Sequence, residues 1–232
     1  MEKMFKHRST KSELLDQENL AKDDLFRNLY ELEVINRKLG GHRATLKGVQ
    51  ELIKADKNKT YRLIDFACGG GDTLRFLAEW GEKNRINFKL KGIDLLPDAI
   101  EYAKNQSEGY DIDWEVKDFR KVSEEKHEIS ICSLVCHHFY GQELIDFVYK
   151  MLETADLGVV INDLHRHPLA YYGIAFLSQL FSQSYLVKHD SKLSVLKGFK
   201  KSEWVNFFEE NKISHYQIQW VWAFRHLILL KK

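Results

Sequence analysis

The chain has 232 residues, a length that suits one domain with an appendage and excludes two full domains. Hydrophobic residues make up 44% of the sequence, enough for a sizeable core, which excludes a chain disordered throughout. Lys and Arg number 35 against 34 Asp and Glu, so the formal charge of +1 provides no overall field to hold nucleic acid.

The N-terminal part of the chain is predicted to be helical. Residues 11–55 are rich in Leu, Glu, Lys and Arg and contain no proline. The pair Gly40-Gly41 would end a first helix, and a second would run from Thr45 to Ala55. Because their apolar face needs a partner, we interpret residues 1–60 as a helical cap on the following domain. The helical spacing is carried by Leu25, Leu29, Leu32 and Ile35.

From residue 61 onward, short β-rich runs alternate with helix-like segments, the pattern of a parallel sheet covered on both faces. The last two β-rich runs leave no room for a crossover helix, so they should pair as an antiparallel hairpin. We therefore predict an α/β, Rossmann-like, doubly wound sheet of seven strands over residues 61–232. The predicted strands are Arg62–Ala67, Lys89–Asp94, Ile112–Val116, Ile129–Leu134, Gly158–Asn162, Tyr216–Val221 and Arg225–Leu230. The predicted helices are Thr73–Trp80, Asp98–Asn105, Gln142–Glu153, Leu169–Phe181 and Glu203–Asn211.

The strongest motif lies between the first of these strands and the helix that follows it. Here the apolar run Leu63 to Phe66 continues into three consecutive glycines, Gly69 to Gly71, more than a tight turn needs. Glycine lets the backbone pass close to a ligand, and a helix N-terminus offers free N–H groups to it. This motif therefore predicts a ligand-binding loop.

Carboxylates follow the next two predicted strands. Asp94 ends the second strand, where a carboxylate can accept hydrogen bonds from both hydroxyls of an adenosyl ribose. Asp118 follows the third strand and could accept an adenine amino proton, while Leu95 and Phe119 flank the ring. Taken alone, Asp118 is better interpreted as a solvated loop residue.

Together, Asp65-x-Ala67-x-Gly69-x-Gly71, Gly92-Ile93-Asp94 and Asp118-Phe119 resemble the S-adenosylmethionine-binding motifs of class I methyltransferases, across residues 61–232. The resemblance implies S-adenosylmethionine as cofactor, with Asp65 near its methionine ammonium, Gly69 and Gly71 making room, and Asp94 on the ribose. Ala67 departs from the glycine that the family often has, but its side chain is small. A dinucleotide fits less well, because the glycines do not follow G-x-G-x-x-G. Further candidates for cofactor binding are Cys68, Ser133 and, for the methionine carboxylate, Arg43.

The fourth strand ends in Cys132-Ser133-Leu134-Val135-Cys136-His137-His138, which resembles a turn common in ubiquinone and menaquinone methyltransferases. The family places residues here between the methyl group and the acceptor. We therefore predict His137 and His138 as candidate bases, since a neutral imidazole can accept a phenolic proton. The alternative is that one histidine only anchors the loop. No metal site is predicted, because the two cysteines have no second ligand pair at a finger-like spacing.

The fifth strand continues into three polar residues: Asp163 could orient a histidine, His165 could act as a base, and Arg166 could pair with an anionic acceptor. The alternative is a helix entry with exposed charges, which is the favoured interpretation for Arg166 and an equal one for His165. We interpret residues 163–201 as an insertion that covers the substrate, with residues 182–201 a polar, basic loop for which solvation is the default. The run Asn162 to Lys201 also resembles methyltransferases encoded beside type III polyketide synthases. That resemblance implies an aromatic polyketide or quinol acceptor and an apolar pocket. The pocket would be formed by Tyr171, Tyr172, Phe176 and Phe181.

The sequence thus predicts a methyltransferase that moves the methyl group of S-adenosylmethionine to oxygen or carbon of a small aromatic acceptor. A nucleic-acid or protein methyltransferase, disfavoured by the balanced charge and the missing Pro-Pro-Tyr, remains an alternative, as does a binding module without catalysis. The absence of a signal-peptide h-region and of any apolar run of about 18 residues predicts no membrane span. An odd set of cysteines predicts free thiols and a cytoplasmic location. They are Cys68, Cys132 and Cys136.

Overall fold

A computed structural model describes residues 2–16, 20–53, 59–122 and 126–232. The strands are β1 Thr60–Phe66, β2 Asn87–Asp94, β3 Ile112–Val116, β4 His127–Ser133, β5 Ala155–Leu164, β6 Tyr216–Val221 and β7 Arg225–Lys231. The helices are α1 Lys22–Lys38, α2 Gly41–Leu52, α3 Asp72–Asn84, α4 Pro97–Asn105, α5 Gly141–Thr154, α6 Pro168–Phe181, α7 Tyr185–Lys197 and α8 Lys201–Glu210.

The strands form a seven-stranded sheet in the order β3-β2-β1-β4-β5-β7-β6. Strands β1 to β5 are parallel, whereas β7 pairs antiparallel with both β5 and β6. The predicted α/β, Rossmann-like fold with a C-terminal antiparallel hairpin is therefore confirmed. The order reverses next to β1, so the carboxyl ends of β1 and β4 flank the crevice where such sheets bind ligands.

The core consists of two layers, one on each face of the sheet. On one face, α5 and α8 bury Phe147 and Trp204 against alternate residues of β5, including Val159 and Ile161. On the other face, α2, α3 and α4 pack against strand residues that point the opposite way, such as Val160 of β5 and Leu227 of β7. Period-two alternation of buried side chains on both faces explains the nearly continuous apolar strands of the sequence.

The two N-terminal helices are present, and Gly40 separates them at a left-handed φ of 78°. Helix α2 lies directly on the sheet: a Cβ at Gly48 would be 2.5 Å from Cγ1 of Val160. Helix α1 packs through Leu25 and Leu29 against α4. Residues 54 and 55, predicted as the end of the second helix, lie outside the described residues. The division into a cap of residues 1–60 and a domain of residues 61–232 stays a prediction.

The prediction of a solvated loop at residues 182–201 is wrong, because most of this segment forms α7. Leu186 and Val187 are buried, and the polar Asp190 and Lys197 are buried as well. Asp190 accepts the backbone N–H groups of Leu14 and Leu15, each at 2.9 Å. The N-terminal segment therefore covers α7 and satisfies its polar side chains. No helix among the described residues is long and apolar enough to cross a membrane.

Candidate active site

The loop between β1 and α3 has an unusual backbone. Ala67, Gly69 and Gly71 all adopt a left-handed conformation, with φ of 56°, 51° and 74°. Only glycine enters this region without a steric cost, which gives a physical reason for the glycine that the family often has at the position of Ala67. The loop is held by a hydrogen bond from Gly71 N to Cys68 O at 2.9 Å and by Arg75, which donates to Gly70 O at 2.6 Å.

Three carboxylates surround this loop. Asp65 is 2% exposed, and its Oδ1 has no hydrogen-bond partner among the described residues. Burial, together with the charges of Asp72 and Asp94, raises the pKa of Asp65 well above its usual value. Asp94 accepts the backbone N–H groups of Gly69 and Leu96, at 2.8 and 2.9 Å. Clustered carboxylates of this kind favour a positively charged ligand.

The third carboxylate, Asp72, connects the loop to the N-terminal helices. Its Oδ2 lies 2.6 Å from Nε2 of His42 and 3.1 Å from Nδ2 of Asn36, which donates to it. Burial by itself raises the pKa of Asp72, but the bonds to His42 and Asn36 outweigh burial and lower it. Asp72 is therefore ionised, and α1 and α2 are fixed relative to the glycine loop.

The other predicted cofactor residues occupy varied positions. Leu95 is 62% exposed and free to flank a ring. The carboxylate of Asp118, in contrast, accepts four hydrogen bonds from Arg120, and Phe119 packs edge-on against Phe147 at 5.0 Å. The remaining positions are as follows: Cys68 is buried, Ser133 accepts a hydrogen bond from Asn162 at 3.3 Å, and Arg43 is exposed on α2.

A cavity of about 270 Å³ lies beyond the carboxyl ends of β4 and β5. Its walls are mainly apolar and come from α1, α6, α7, the N-terminal segment and the β6–β7 turn. Helix α6 lines it through Ala170, Gly173, Ile174 and Leu177. The pocket predicted from Tyr171, Tyr172, Phe176 and Phe181 is wrong, because none of them is among the described walls of this cavity, and Phe176 and Phe181 are 65% and 78% exposed.

His137 lines this cavity and forms a buried pair with Asp163. Its Nδ1 lies 2.7 Å from Asp163 Oδ1, and its backbone N–H donates to Asp163 Oδ2 at 3.0 Å. Burial by itself raises the pKa of Asp163, but the charge of His137 and the hydrogen bonds lower it. When His137 is neutral, an ionised Asp163 keeps its proton on Nδ1, so Nε2 is left as a hydrogen-bond acceptor. The predicted orienting role of Asp163 is thus directed to His137.

His138 packs against His137, with ring centroids 4.3 Å apart and ring planes tilted by 36°, but has a different environment. Its Nδ1 lies 3.5 Å from Asp16, and its Nε2 lies 3.9 Å from Glu13. Burial by itself lowers the pKa of His138, but the two carboxylates outweigh burial and raise it. His138 is therefore favoured as an imidazolium, which suits a base poorly.

The cavity also contains side-chain atoms of the kind that serve as metal ligands. Glu13, His137 and His138 place three ligand atoms within 4.8 Å of one another. Two histidines and one carboxylate form a set that divalent transition metals use. However, the buried ammonium of Lys197 already lies 3.2 Å from Glu13 and 3.4 Å from Asp16. The protein's own cation thus compensates these carboxylates, and we assign no metal to the cluster.

His165 and Arg166 are not brought to the cavity. Leu164 lines the cavity, whereas His165 is absent from its described walls and packs instead against His226, with ring centroids 4.6 Å apart and ring planes tilted by 49°. Burial and the neighbouring cationic groups lower the pKa of His165 to about 4. Arg166 is 1% exposed and donates to Gly198 O and to Glu203, so it anchors the fold and does not meet an acceptor.

Three residues of the site escaped the sequence analysis: Glu13, Asn36 and Arg225 all line the cavity or contact its walls. Of the three, only Arg225 carried a signal, since it is a charged residue two positions before the apolar run Leu227 to Leu230. The other two had no signal, because their burial depends on partners far away in the sequence. Asn36, for example, accepts a hydrogen bond from Arg225 across 189 positions.

Residues 63–155 match a family described as a methyltransferase domain. The carboxy-S-adenosyl-L-methionine synthase of Campylobacter jejuni subsp. jejuni serotype O:23/36 (strain 81-176) is 22% identical over 82% of this chain and 85% of its own length. The plantazolicin methyltransferase BpumL in complex with SAH aligns over 91% of this chain and 95% of its own, with a TM-score of 0.66 and 14% identity. Magnesium protoporphyrin IX methyltransferase from Synechocystis PCC 6803 with bound SAM aligns over 92% and 93%, with a TM-score of 0.59 and 13% identity.

The matched residues 63–155 include β1, the glycine loop, Asp94 and the turn with His137 and His138. The similar structures share the fold and were solved with SAH or SAM bound. These findings support the predicted enzyme class and S-adenosylmethionine as the cofactor. Residues 63–155 thus resemble a methyltransferase domain, and the chain has the α/β, Rossmann-like fold of these methyltransferase structures.

Proposed function

We propose that this protein transfers a methyl group from S-adenosylmethionine to oxygen or carbon of a small aromatic acceptor. The observation that carries the proposal is the buried His137–Asp163 pair in the wall of an apolar cavity, at the end of β4. Strand β4 is the neighbour of β1, whose carboxyl end carries the glycine loop. A proton acceptor and an apolar binding space are therefore combined beside the loop that would hold the methyl donor.

The glycine loop fits this cofactor. The unpartnered Oδ1 of Asp65 is a buried acceptor, which the ammonium group of a methionine moiety would satisfy. Gly69 and Gly71 leave space for close approach, Asp94 would accept the ribose hydroxyls, and the exposed Leu95 would cover the adenine. When bound, S-adenosylmethionine supplies a methyl group on a positively charged sulfur, and the carboxylates around the loop are suited to that charge.

His137 would act as the base. Its Nε2 is the free ring nitrogen, because Nδ1 is bound to Asp163 at 2.7 Å. A phenol has an ordinary pKa of about 10, so removing its proton at neutral pH requires an acceptor held next to it. Asp163 would stabilise the imidazolium that forms, as a buried carboxylate does in other histidine pairs. His138, already paired with acids, would help to orient the acceptor.

Within the small aromatic acceptors, we propose quinols and aromatic polyketides first. The turn that contains His137 and His138 resembles that of ubiquinone and menaquinone methyltransferases, and residues 162–201 resemble enzymes encoded beside type III polyketide synthases. A cavity of about 270 Å³ has room for one or two aromatic rings. The described cysteines are free, which agrees with the cytoplasm as the proposed location.

The first experiment is calorimetric titration of the purified protein with S-adenosylmethionine and, separately, with NADH. Micromolar binding of S-adenosylmethionine alone supports the proposal, and binding of NADH alone contradicts it. Transfer of a labelled methyl group to a panel of phenols, quinols and polyketides then tests the acceptor. Tight cofactor binding without turnover would favour a non-catalytic binding module, and a gel shift at moderate salt would favour a nucleic-acid methyltransferase.

A second candidate function is the formation of a carboxylated derivative of S-adenosylmethionine. Two observations favour it: the similar Campylobacter jejuni protein bears the name of such a synthase, and Arg225, whose Nη1 has no hydrogen-bond partner among the described residues, lines the cavity. Mass spectrometry of the nucleosides present after incubation with a panel of carboxylic acids separates the two functions. A methylated acceptor with S-adenosylhomocysteine indicates transfer, whereas a carboxylated sulfonium product indicates the synthase.

A further inference from the structure

Arg225, the first residue of β7, is a buried cation with an unsatisfied donor. The residue is 3% exposed and lines the cavity. Its Nη2 donates to Asn36 Oδ1 at 2.8 Å, but its Nη1 has no hydrogen-bond partner among the described residues. An unpartnered buried N–H of a guanidinium costs free energy in the ligand-free protein. Such a group persists in sites where a ligand completes it.

Charges around Arg225 do not satisfy it. Asp163 and Asp72 raise its pKa through space, yet burial outweighs them and lowers the pKa to about 10. The guanidinium therefore stays charged at neutral pH. Within the described ranges, no carboxylate forms an ion pair with Arg225 at 4.0 Å or less, whereas Arg166 is paired with Glu203.

The position of Arg225 is fixed by its surroundings. A Cβ at Gly41 would lie 3.1 Å from its Cζ and 2.8 Å from Asn36 Oδ1, so a larger residue there would disturb both side chains. Asn36 in turn donates to Asp72, the first residue of α3. Through Asn36, the guanidinium is held at a set place relative to the glycine loop on one side and the acceptor cavity on the other.

We propose that Arg225 binds the carboxylate of a ligand in this cavity. The inference rests on the proposed function and refines it. A carboxylate accepts hydrogen bonds from a guanidinium in a planar, paired geometry, which would satisfy Nη1 and neutralise the buried charge. Asn28, another wall residue with an unpartnered buried Nδ2, provides a further donor in the same cavity. The carboxylate belongs either to the methionine end of the cofactor or to the acceptor.

Two pairs of probes distinguish these sources in calorimetric titrations of wild type and Arg225→Met. S-adenosylhomocysteine carries the methionine-type carboxylate, and 5′-methylthioadenosine lacks it. Likewise, 4-hydroxybenzoate carries a carboxylate that 4-hydroxybenzyl alcohol lacks. We expect the variant to lose about 10- to 100-fold affinity for one carboxylate probe and to bind both neutral probes as wild type does. Loss with S-adenosylhomocysteine assigns the cofactor; loss with 4-hydroxybenzoate assigns the acceptor.

Stability gives an independent readout. Because Arg225→Met removes a buried cation without an ionic partner, its melting temperature should equal or exceed that of wild type, whereas Arg166→Met, which breaks a buried pair, should melt lower. Arg37→Met, at an exposed position of α1, is the matched control for affinity. Arg225→Lys keeps the charge without the planar geometry and should retain part of the affinity, which covers the case in which Arg225→Met does not fold.

Unchanged affinity of Arg225→Met and Arg225→Lys for both carboxylate probes would overturn the inference. That outcome is separate from a failure of the proposed function, which appears in wild type as no binding of S-adenosylhomocysteine and 5′-methylthioadenosine. In that case, the comparison with 4-hydroxybenzoate still decides whether Arg225 binds a carboxylate.

Discussion

The indole ring of Trp114 occupies the space that a side chain at Gly71 would need. A Cβ at Gly71 would lie 2.2 Å from Cη2 of Trp114, and the φ of Gly71 is +74°. Trp114 on β3 thus packs against the glycine loop from the side of the sheet, so the loop cannot move toward the sheet. The two residues fix the floor of the predicted cofactor site.

Gly71→Ala should therefore destabilise the protein for two reasons, backbone strain and collision with Trp114. Gly109→Ala provides the matched control, because Gly109 has a φ of +85° and open space around it. We expect Gly109→Ala to lower the free energy of unfolding by about 1 kcal/mol. Gly71→Ala should lower the free energy of unfolding by about 1–3 kcal/mol more than Gly109→Ala does, as measured by urea denaturation. Equal losses would show that Trp114 yields easily.

Asp94→Ala should weaken the binding of S-adenosylmethionine by about 10- to 100-fold, because it removes a charged acceptor for the ribose hydroxyls. Asp94→Asn, which keeps one acceptor for the N–H of Gly69, should lie between the variant and wild type. The control is Asp113→Asn, an exposed carboxylate on the neighbouring strand. Calorimetry measures all four proteins. Wild-type affinity in Asp94→Ala would contradict the proposed role of Asp94.

His137→Gln and Asp163→Asn should each lower the turnover number by about 10²- to 10⁴-fold and leave cofactor affinity unchanged. Because the two residues act as one unit, the double variant should be little slower than the slower single variant. Steady-state methyl transfer with an acceptor from the panel measures the rates, and the exposed His215→Asn is the control. If instead His138→Gln alone abolished turnover, the assignment of the base to His137 would be wrong.

The histidine cluster away from the cavity predicts a loss of stability in acid. Burial holds the pKa of His165 at about 4, against a usual value of 6.5. Between these values the unfolded chain binds a proton that the folded protein does not, so the contribution is present above pH 6.5 and declines as the pH falls toward 4. His165→Asn should therefore reduce the loss of unfolding free energy between pH 7 and pH 5.

Urea denaturation at these two pH values tests this expectation, with His215→Asn as the exposed control. An identical pH dependence in His165→Asn and wild type would show that His165 is not the residue responsible. In that case, His226, whose pKa burial also lowers, would be the next residue to replace.

Local patterns were sufficient to predict the sheet and the glycine loop. The seven predicted strands are present. The prediction succeeds because a short, continuously apolar run between two helical segments is typical of a strand in a sheet that is buried on both faces. The loop was recognisable because Gly69, Gly71 and Asp94 are close in the sequence, and each performs its role through backbone geometry or a short-range hydrogen bond.

Helix α7 could not be predicted, because it lacks an apolar face of regular period. It buries apolar residues such as Leu186 together with Asp190 and Lys197, whose partners come from the N-terminal segment. A polar residue whose partner lies far away in the sequence looks like a solvated one. For the same reason, the sequence predicts a carboxylate-binding role for Arg43, which is exposed on α2, and gives no such role to the buried Arg225.

The hydrogen bond between Asn36 and Arg225 has a consequence for how the site is assembled during synthesis. It spans 189 positions, whereas the bond from Gly69 to Asp94 spans 25. Contacts between segments close in sequence can form on a chain that is still emerging, but the wall that contains Arg225 must wait for the final strand. The cofactor loop can therefore be organised early, and an incomplete chain would carry a donor site without a finished place for the acceptor.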